Sequence, residues 1–402
     1  MDKLAVFDVH HALPFPSVTL DTDLNVIQRL ADLQTWAQSW CSEDERLRQR
    51  VAHLNPNHKA DVLLGSQIAG LRRRLALQII RTPIYLDPKA VHQVGVPILR
   101  EALTVQYANL SLSQRQLWLN NLFFLLTPTL RTLIEKLDTI RHYRSLGQQR
   151  CFLLGGVSGT GKSSLLNWYA VNYLPTVETT RNHVPVVKID APVSNRSPKP
   201  LFQRILLACG ATVLRGDEEH HLHLLELFFQ QCGVELLIVD EVEHITQPAL
   251  KRRLLELSNL TGVPIVCASC HPIAWTAGDT EIQGRWNDYF ELTQLTGPRL
   301  DAFLTLLDLL LPFAEDAYLG LRELRSEQGQ TFAGPAHYIE EWTDGIVREI
   351  MVLVMDACFK ALSTGQPGVT IDILHQAWRD IKRAKVVNFL DYLRAQQGGG
   401  HG

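Results

Sequence analysis

Residues 153–166 read LLGGVSGTGKSSLL, and no other stretch of the 402-residue chain restricts its fold as tightly. An apolar run stops in a glycine-rich turn, which passes directly into a lysine, two serines and the start of a helix. The segment 156–163 fits the pattern G-x-x-x-x-G-K-[ST]. Gly156, Gly159 and Gly161 allow backbone N–H groups to turn inward around phosphates with no Cβ in the way. Lys162 supplies positive charge to the β- and γ-phosphates, and the Ser163 hydroxyl is a ligand for Mg²⁺. Val157, Ser158, Thr160 and Ser164 complete the nucleotide-binding loop and the first turn of a helix whose positive dipole end faces the anion. The expected ligands are ATP and Mg²⁺.

From 151 onward, short apolar runs alternate with helical patterns, which predicts an α/β fold with a five-stranded parallel sheet and crossover helices. The strands are expected at 151–156, 184–190, 235–241, 263–269 and 289–295. Helices are expected at 162–173, 199–209, 220–231 and 248–260. Runs such as LLIV and PIVCA suit strands covered on both faces.

The run LLIVDE (236–241) ends in two carboxylates. Asp240 is placed to hold Mg²⁺, and Glu241 to polarise an attacking water as a general base. On its own such a pair is more often a helix-capping feature; after a phosphate loop it argues for hydrolysis. At the end of the next strand, in IVCASCHP, a polar side chain is expected to orient the water or touch the γ-phosphate. Ser269 is the choice there, with Cys270 as its neighbour. Arg285, before the fifth strand, is expected to project toward the nucleotide of an adjacent subunit. Arg348, in TDGIVREI, is expected to close a small helical domain over the nucleotide. An always-charged, bidentate guanidinium suits both tasks.

The totals exclude several classes. With 39 basic against 42 acidic residues the net charge is −3, so any nucleic-acid contact must be a local patch. No apolar run approaches the ~20 residues that span a bilayer. The start MDKLAVFDVHHALPFP lacks the apolar core of a signal peptide. The seven cysteines are scattered, and Cys267–Cys270 has no second pair at zinc-ribbon spacing. A reduced, cytoplasmic protein without a membrane segment is expected.

Residues 1–128 read as a helical extension, with amphipathic patterns at 24–40 and 63–80. Residues 129–297 form the nucleotide-binding core, 298–395 a small all-α lid, and 396–402 a disordered tail. Arg72–Arg74, Lys382, Arg383 and Lys385 read as solvated helix faces, and His220, His221 and His223 as an exposed helix start. Trp36, Trp40 and Trp118 read as core.

The order phosphate loop, strand-terminal Asp-Glu, strand-end polar residue, inter-subunit arginine and helical lid resembles an AAA+ P-loop ATPase over roughly 130–395. Within that class, QCGVELLIVDEVEHI, the later LTGVPIVCAS, the approach TPTLRTLIEKLDTIRHYR and VPVVKIDAPVSNRSPKPLFQRIL are similar to the TnsC/TniB transposition regulators. The resemblance carries over Gly156, Gly161, Lys162, Ser163, Asp240 and Glu241. It departs at Ser269-Cys270, where the family has a small residue and a threonine. It implies a homo-oligomeric ring or filament that binds double-stranded DNA non-specifically through the backbone. Such an assembly links a target-selector protein (TniQ/TnsD-like, RNA-guided or sequence-specific) to a transposase, and ATP hydrolysis disassembles it. It also implies that Lys199, with Arg196 in the same SNRSPKPLF loop, touches DNA phosphates. Two other readings compete: an AAA+ replication initiator or loader, and a signalling NTPase that binds protein effectors and no DNA.

Overall fold

The computed structural model describes residues 127–142, 151–173, 176–177, 182–193, 197–209, 211, 215–326 and 328–383. It also describes Tyr107, Ala108, Leu110, Ser111, Leu112, Arg115, Gln116, Leu119 and Leu125. The helices expected at 24–40 and 63–80, Arg72–Arg74, Trp36, Trp40, Trp118, Arg196, Lys385 and the tail at 396–402 lie outside these residues. The described residues fall into two compact units. One comprises those between 126 and 293; the other joins those between 107 and 125 to those from 294 onward. The expected divisions at 128/129 and 297/298 thus stand beside boundaries at 125/126 and 293/294.

The first unit is built on β1 (Cys151–Gly155), every residue of which is buried. A small antiparallel ribbon of β2 (Thr176–Val177) and β3 (Asn182–His183) follows and was not anticipated. Then come β4 (Val186–Asp190), β5 (Leu236–Asp240), β6 (Ile265–Ala268) and β7 (Asp288–Glu291). These four and β1 form one sheet in the order β4-β5-β6-β1-β7, and every pairing is parallel. The central strands CFLLG, LLIVD and IVCA are buried along their whole length, as expected of strands covered by helices on both faces. DYFE at the edge alternates between half-buried and exposed residues. Because β1 sits between β6 and β7, the strand order reverses beside it. The carboxyl ends of strands at such a reversal form the crevice where ligands bind in open α/β sheets.

Local signals explain the helix boundaries. Proline opens the helices Pro128–His142, Pro248–Thr261 and Pro272–Thr276, where its missing N–H costs nothing. Asp217 caps the helix Glu218–Gln231 by accepting from His220 N at 2.9 Å, and Glu218 and Glu219 follow in the first turn. Gly262 ends Pro248–Thr261 at φ 66°, in the left-handed region. The helix Lys199–Ala208 buries Leu201, Phe202, Ile205 and Leu206 against the sheet core. The exposed helix start expected at His220, His221 and His223 holds for two of the three. His220 and His223 are exposed, but His221 is fully buried, because helical spacing sets it on the face of Leu222, Leu225 and Phe229.

The second unit holds the helices Pro298–Leu310, Pro335–Thr343, Val347–Ser363 and a further one at 371–383. To these helices the structure adds an antiparallel ribbon, β8 (Glu323–Arg325) with β9 (Thr331–Ala333). Leu304, Leu307, Phe313, Ile350 and Leu353 are buried in one hydrophobic cluster. Tyr107, Leu110, Leu119 and Leu125 belong to the same cluster, and the Tyr107 hydroxyl donates to Leu309 O at 2.8 Å. Truncating such a leucine to alanine costs about 2–5 kcal/mol. Lys382 and Arg383 are exposed, as expected. No helix among the described residues is long and apolar enough to cross a membrane.

Candidate functional site: the carboxyl ends of the parallel strands

The loop after β1 takes a backbone path that its glycines permit. Gly156, Gly159 and Gly161 lie at φ 137°, 89° and 102°. At Gly156 a Cβ would stand 2.3 Å from Leu292 O, so both conformation and space demand glycine. The Thr160 hydroxyl donates to Val157 O at 2.9 Å and closes the turn. Gly161 precedes the helix Lys162–Asn172 and, lacking a side chain, does not cap its first N–H groups. Val157 and Ser158 are exposed on the loop, and Ser163 and Ser164 are exposed on the first helical turn.

Lys162 is buried at 6% exposure. Its ammonium donates to Gly156 O at 2.5 Å and Val157 O at 3.1 Å, and lies 3.6 Å from Cys270 Sγ. Three donors therefore meet three acceptors, of which the thiol is the weakest.

Asp240, at the end of β5, is 2% exposed. Its Oδ1 accepts from Glu241 N at 2.9 Å, and its Oδ2 lies 3.7 Å from Lys188 Nζ. Lys188 also pairs with Asp190 at 2.5 Å; the β4–β5 register sets Asp190 directly opposite Asp240. Glu241 has φ 57° and ψ 38°, a left-handed conformation rare for a residue with a Cβ and common at functional sites. Its exposed carboxylate lies 3.9 Å from His244 Nε2.

At the end of β6 the side chain that reaches Lys162 belongs to Cys270, not Ser269. Ser269 is 1% exposed; its N–H donates to Leu154 O and its Oγ accepts from His271 N at 3.0 Å. The serine hydroxyl thus holds its own turn, and the next residue faces the loop lysine. Glu243 Oε2 accepts from Cys270 N at 3.4 Å. Burial pushes the Cys270 thiol up, with Glu243 adding to the rise and Lys162 opposing it, so the sulfur is neutral at ordinary pH.

Arg285 ends the helix Thr280–Arg285 and is exposed. Arg348 is exposed in the first turn of Val347–Ser363, in the second unit. Lys199 is the first residue of its helix, half-buried, and its Nζ donates to Gly216 O at 2.8 Å. Among the described residues no group of three or more His, Cys, Asp or Glu side chains could hold a metal by itself. The oxygen donors Ser163 and Asp240 suit a hard cation that also takes phosphate oxygens.

Lys188, Glu243 and Cys270 are the site residues that sequence reasoning missed or ranked second. A lysine inside the otherwise apolar VVKID was the available signal for the first. Nothing in VEHI distinguishes Glu243 from a solvated carboxylate.

A family model described as the bacterial TniB protein matches residues 115–292. No curated protein matches the chain. Among solved structures, the chain is similar to the Aeropyrum pernix ORC2 protein in its ADPNP–ADP complexes. That match has 18% identity, 63% of this chain, 68% of the other and a TM-score of 0.46. It is also similar to the Aeropyrum pernix ORC1 protein in complex with DNA (14% identity, 66% and 68% covered, TM-score 0.45). The Drosophila ORC bound to DNA gives 16% identity, 67% and 66% covered, and a TM-score of 0.42. The family match begins before β1 and ends just after β7, so it takes in the glycine loop, Asp240 and the whole parallel sheet. Over residues 115–292, somewhat less than half of its length, this chain is similar to the bacterial TniB family.

Proposed function

We propose that the chain binds and hydrolyses ATP as an oligomer on duplex DNA, and that in DNA transposition it connects a target-selecting partner to a transposase. The observation that carries the nucleotide reading is Lys162. It is a buried ammonium held over a left-handed glycine loop by two carbonyls and one weak thiol acceptor. An arriving phosphate oxygen exchanges most readily with Cys270 Sγ, so the end of β6 would register an occupied loop. Mg²⁺ held by Ser163 and Asp240 would supply neutralisation of the charge that develops on the phosphates. Glu241 takes the proton of the attacking water, and its outward, left-handed placement keeps the carboxylate available for this.

Oligomerisation and DNA contact are proposed on the family match, with Arg285 completing a neighbouring subunit's site, Arg348 sensing the nucleotide and Lys199 and Arg196 meeting phosphates. The net charge of −3 suits a contact repeated around an assembly rather than a basic monomer. The test is ATP-dependent binding of the full chain to random-sequence duplex DNA across a salt series. Salt-sensitive binding that needs ATP is expected. Its absence at low salt, with ATP bound, would return the protein to a signalling NTPase.

A further inference from the structure

A buried lysine and two tryptophans outside the nucleotide site converge on the segment 272–286. Lys251, on the helix that follows the acidic strand end, is 7% exposed, and its ammonium donates to the backbone oxygen of Trp275. The same ammonium stands 5.1 Å from the centroid of the Trp275 ring. Burial lowers the pKa of Lys251, and Asp279 counters part of that. The indole Nε1 of Trp275 donates to Ile245 O at 3.0 Å, at the end of the single turn Val242–His244 that begins immediately after Glu241. Trp275 meets Trp286 edge to face, with centroids 5.2 Å apart.

Trp286 is 3% exposed and directly follows Arg285. Its indole stands beside the thiol of Cys267, on β6. The helix Thr280–Arg285 is fixed at its other end. Asp279 accepts from Glu281 N and Ile282 N, and Arg252, the neighbour of Lys251, pairs with Asp279 at 3.0 Å.

We propose that Lys251, Trp275 and Trp286 are positioning residues that tie the exposed Arg285 to the segment carrying Glu241. The base of one subunit and the arginine offered to its neighbour then move as one body. This proposal rests on the reading of Arg285 as an inter-subunit residue. An exposed arginine at the end of a six-residue helix has no intrinsic reason to hold one direction. The clamp provides it, because Trp275 bonds to the acidic segment and packs on the residue adjoining Arg285. A buried ammonium is otherwise an expensive way to satisfy one carbonyl. A misplacement of 1 Å costs a reacting geometry about 10²-fold.

The test uses the full chain and the variants Lys251→Met, Trp275→Phe, Arg285→Ala and Lys251→Met/Arg285→Ala. Amide exchange is measured first. Lys251→Met should accelerate exchange at 272–286 and leave 156–166 protected, and unchanged exchange at 272–286 overturns the clamp whatever the activity. ATP turnover at assembling concentrations is measured next. Lys251→Met and Trp275→Phe should each lower it roughly 10- to 100-fold with nucleotide affinity unchanged, and the double variant should fall no further than Arg285→Ala. Additive losses would make Lys251 merely structural and overturn the proposal. If Arg285→Ala leaves turnover intact, the inter-subunit reading itself fails and the proposal goes with it, although the exchange result still reports whether the clamp exists.

Discussion

The loop after β1 and the turn after β6 hold the same ammonium, and they do so by different means. The loop uses main-chain carbonyls of Gly156 and Val157, presented by glycines whose positive φ values fix the path. The turn uses one thiol, brought to Lys162 from 108 residues away and steadied by Glu243 through the Cys270 N–H. A backbone device of this kind leaves a spacing pattern in the sequence. A side-chain device leaves only a residue type, and several types would serve.

The comparison predicts unequal sensitivity. Lys162→Ala should have the largest effect, abolishing nucleotide binding as measured by calorimetry; retained binding would remove the loop from the site. Gly156→Ala should come close, since its Cβ meets Leu292 O and the strained conformation alone costs on the order of 1–3 kcal/mol. Thermal melting with and without ATP separates lost fold from lost ligand. Glu241→Gln should keep ATP affinity while turnover drops by about 10²- to 10⁴-fold. A variant that turns over normally would shift the base elsewhere, with Glu243 the next carboxylate to replace.

At the β6 turn the effects should be smaller and graded. Cys270→Ser keeps an acceptor for Lys162 and should change ATP affinity by only a few fold, whereas Cys270→Val removes the acceptor that a phosphate would displace and should tighten it measurably. Equal behaviour of the two would show that the thiol contact is incidental. Ser269→Ala removes the acceptor of His271 N and should cost about 1 kcal/mol of stability, read by urea titration, with turnover nearly intact. The smallest effect should come from Lys199→Ala. Binding to random-sequence DNA should weaken a few fold, with the salt slope reduced by about one charge. An unchanged slope would take Lys199 off the DNA.

Much of the candidate nucleotide site is legible in the sequence because its elements are local. β1, β5 and β6 read as continuous apolar runs because both faces of each strand are covered. Asp240 and Glu241 stood out because charges end one of these runs. The choice between Ser269 and Cys270 was not legible. Both are small and polar at a strand end, and only packing showed Ser269 engaged with His271. A run of histidines reads as solvated until helical phase is applied, and that phase turns His221 alone of the three inward. The ribbons β2–β3 and β8–β9 are two and three residues per strand, too short for a period-two pattern to register.

The glycine loop, the acidic strand end and the parallel α/β class follow from local sequence, since each depends on φ preferences or hydrophobic runs within a few residues. Tertiary structure decided what surrounds them: Cys270 against Lys162, Lys188 between Asp190 and Asp240, and Trp275 between Ile245 and Trp286. Those contacts join segments separated in the chain, and their energies depend on burial and approach, which no local pattern encodes.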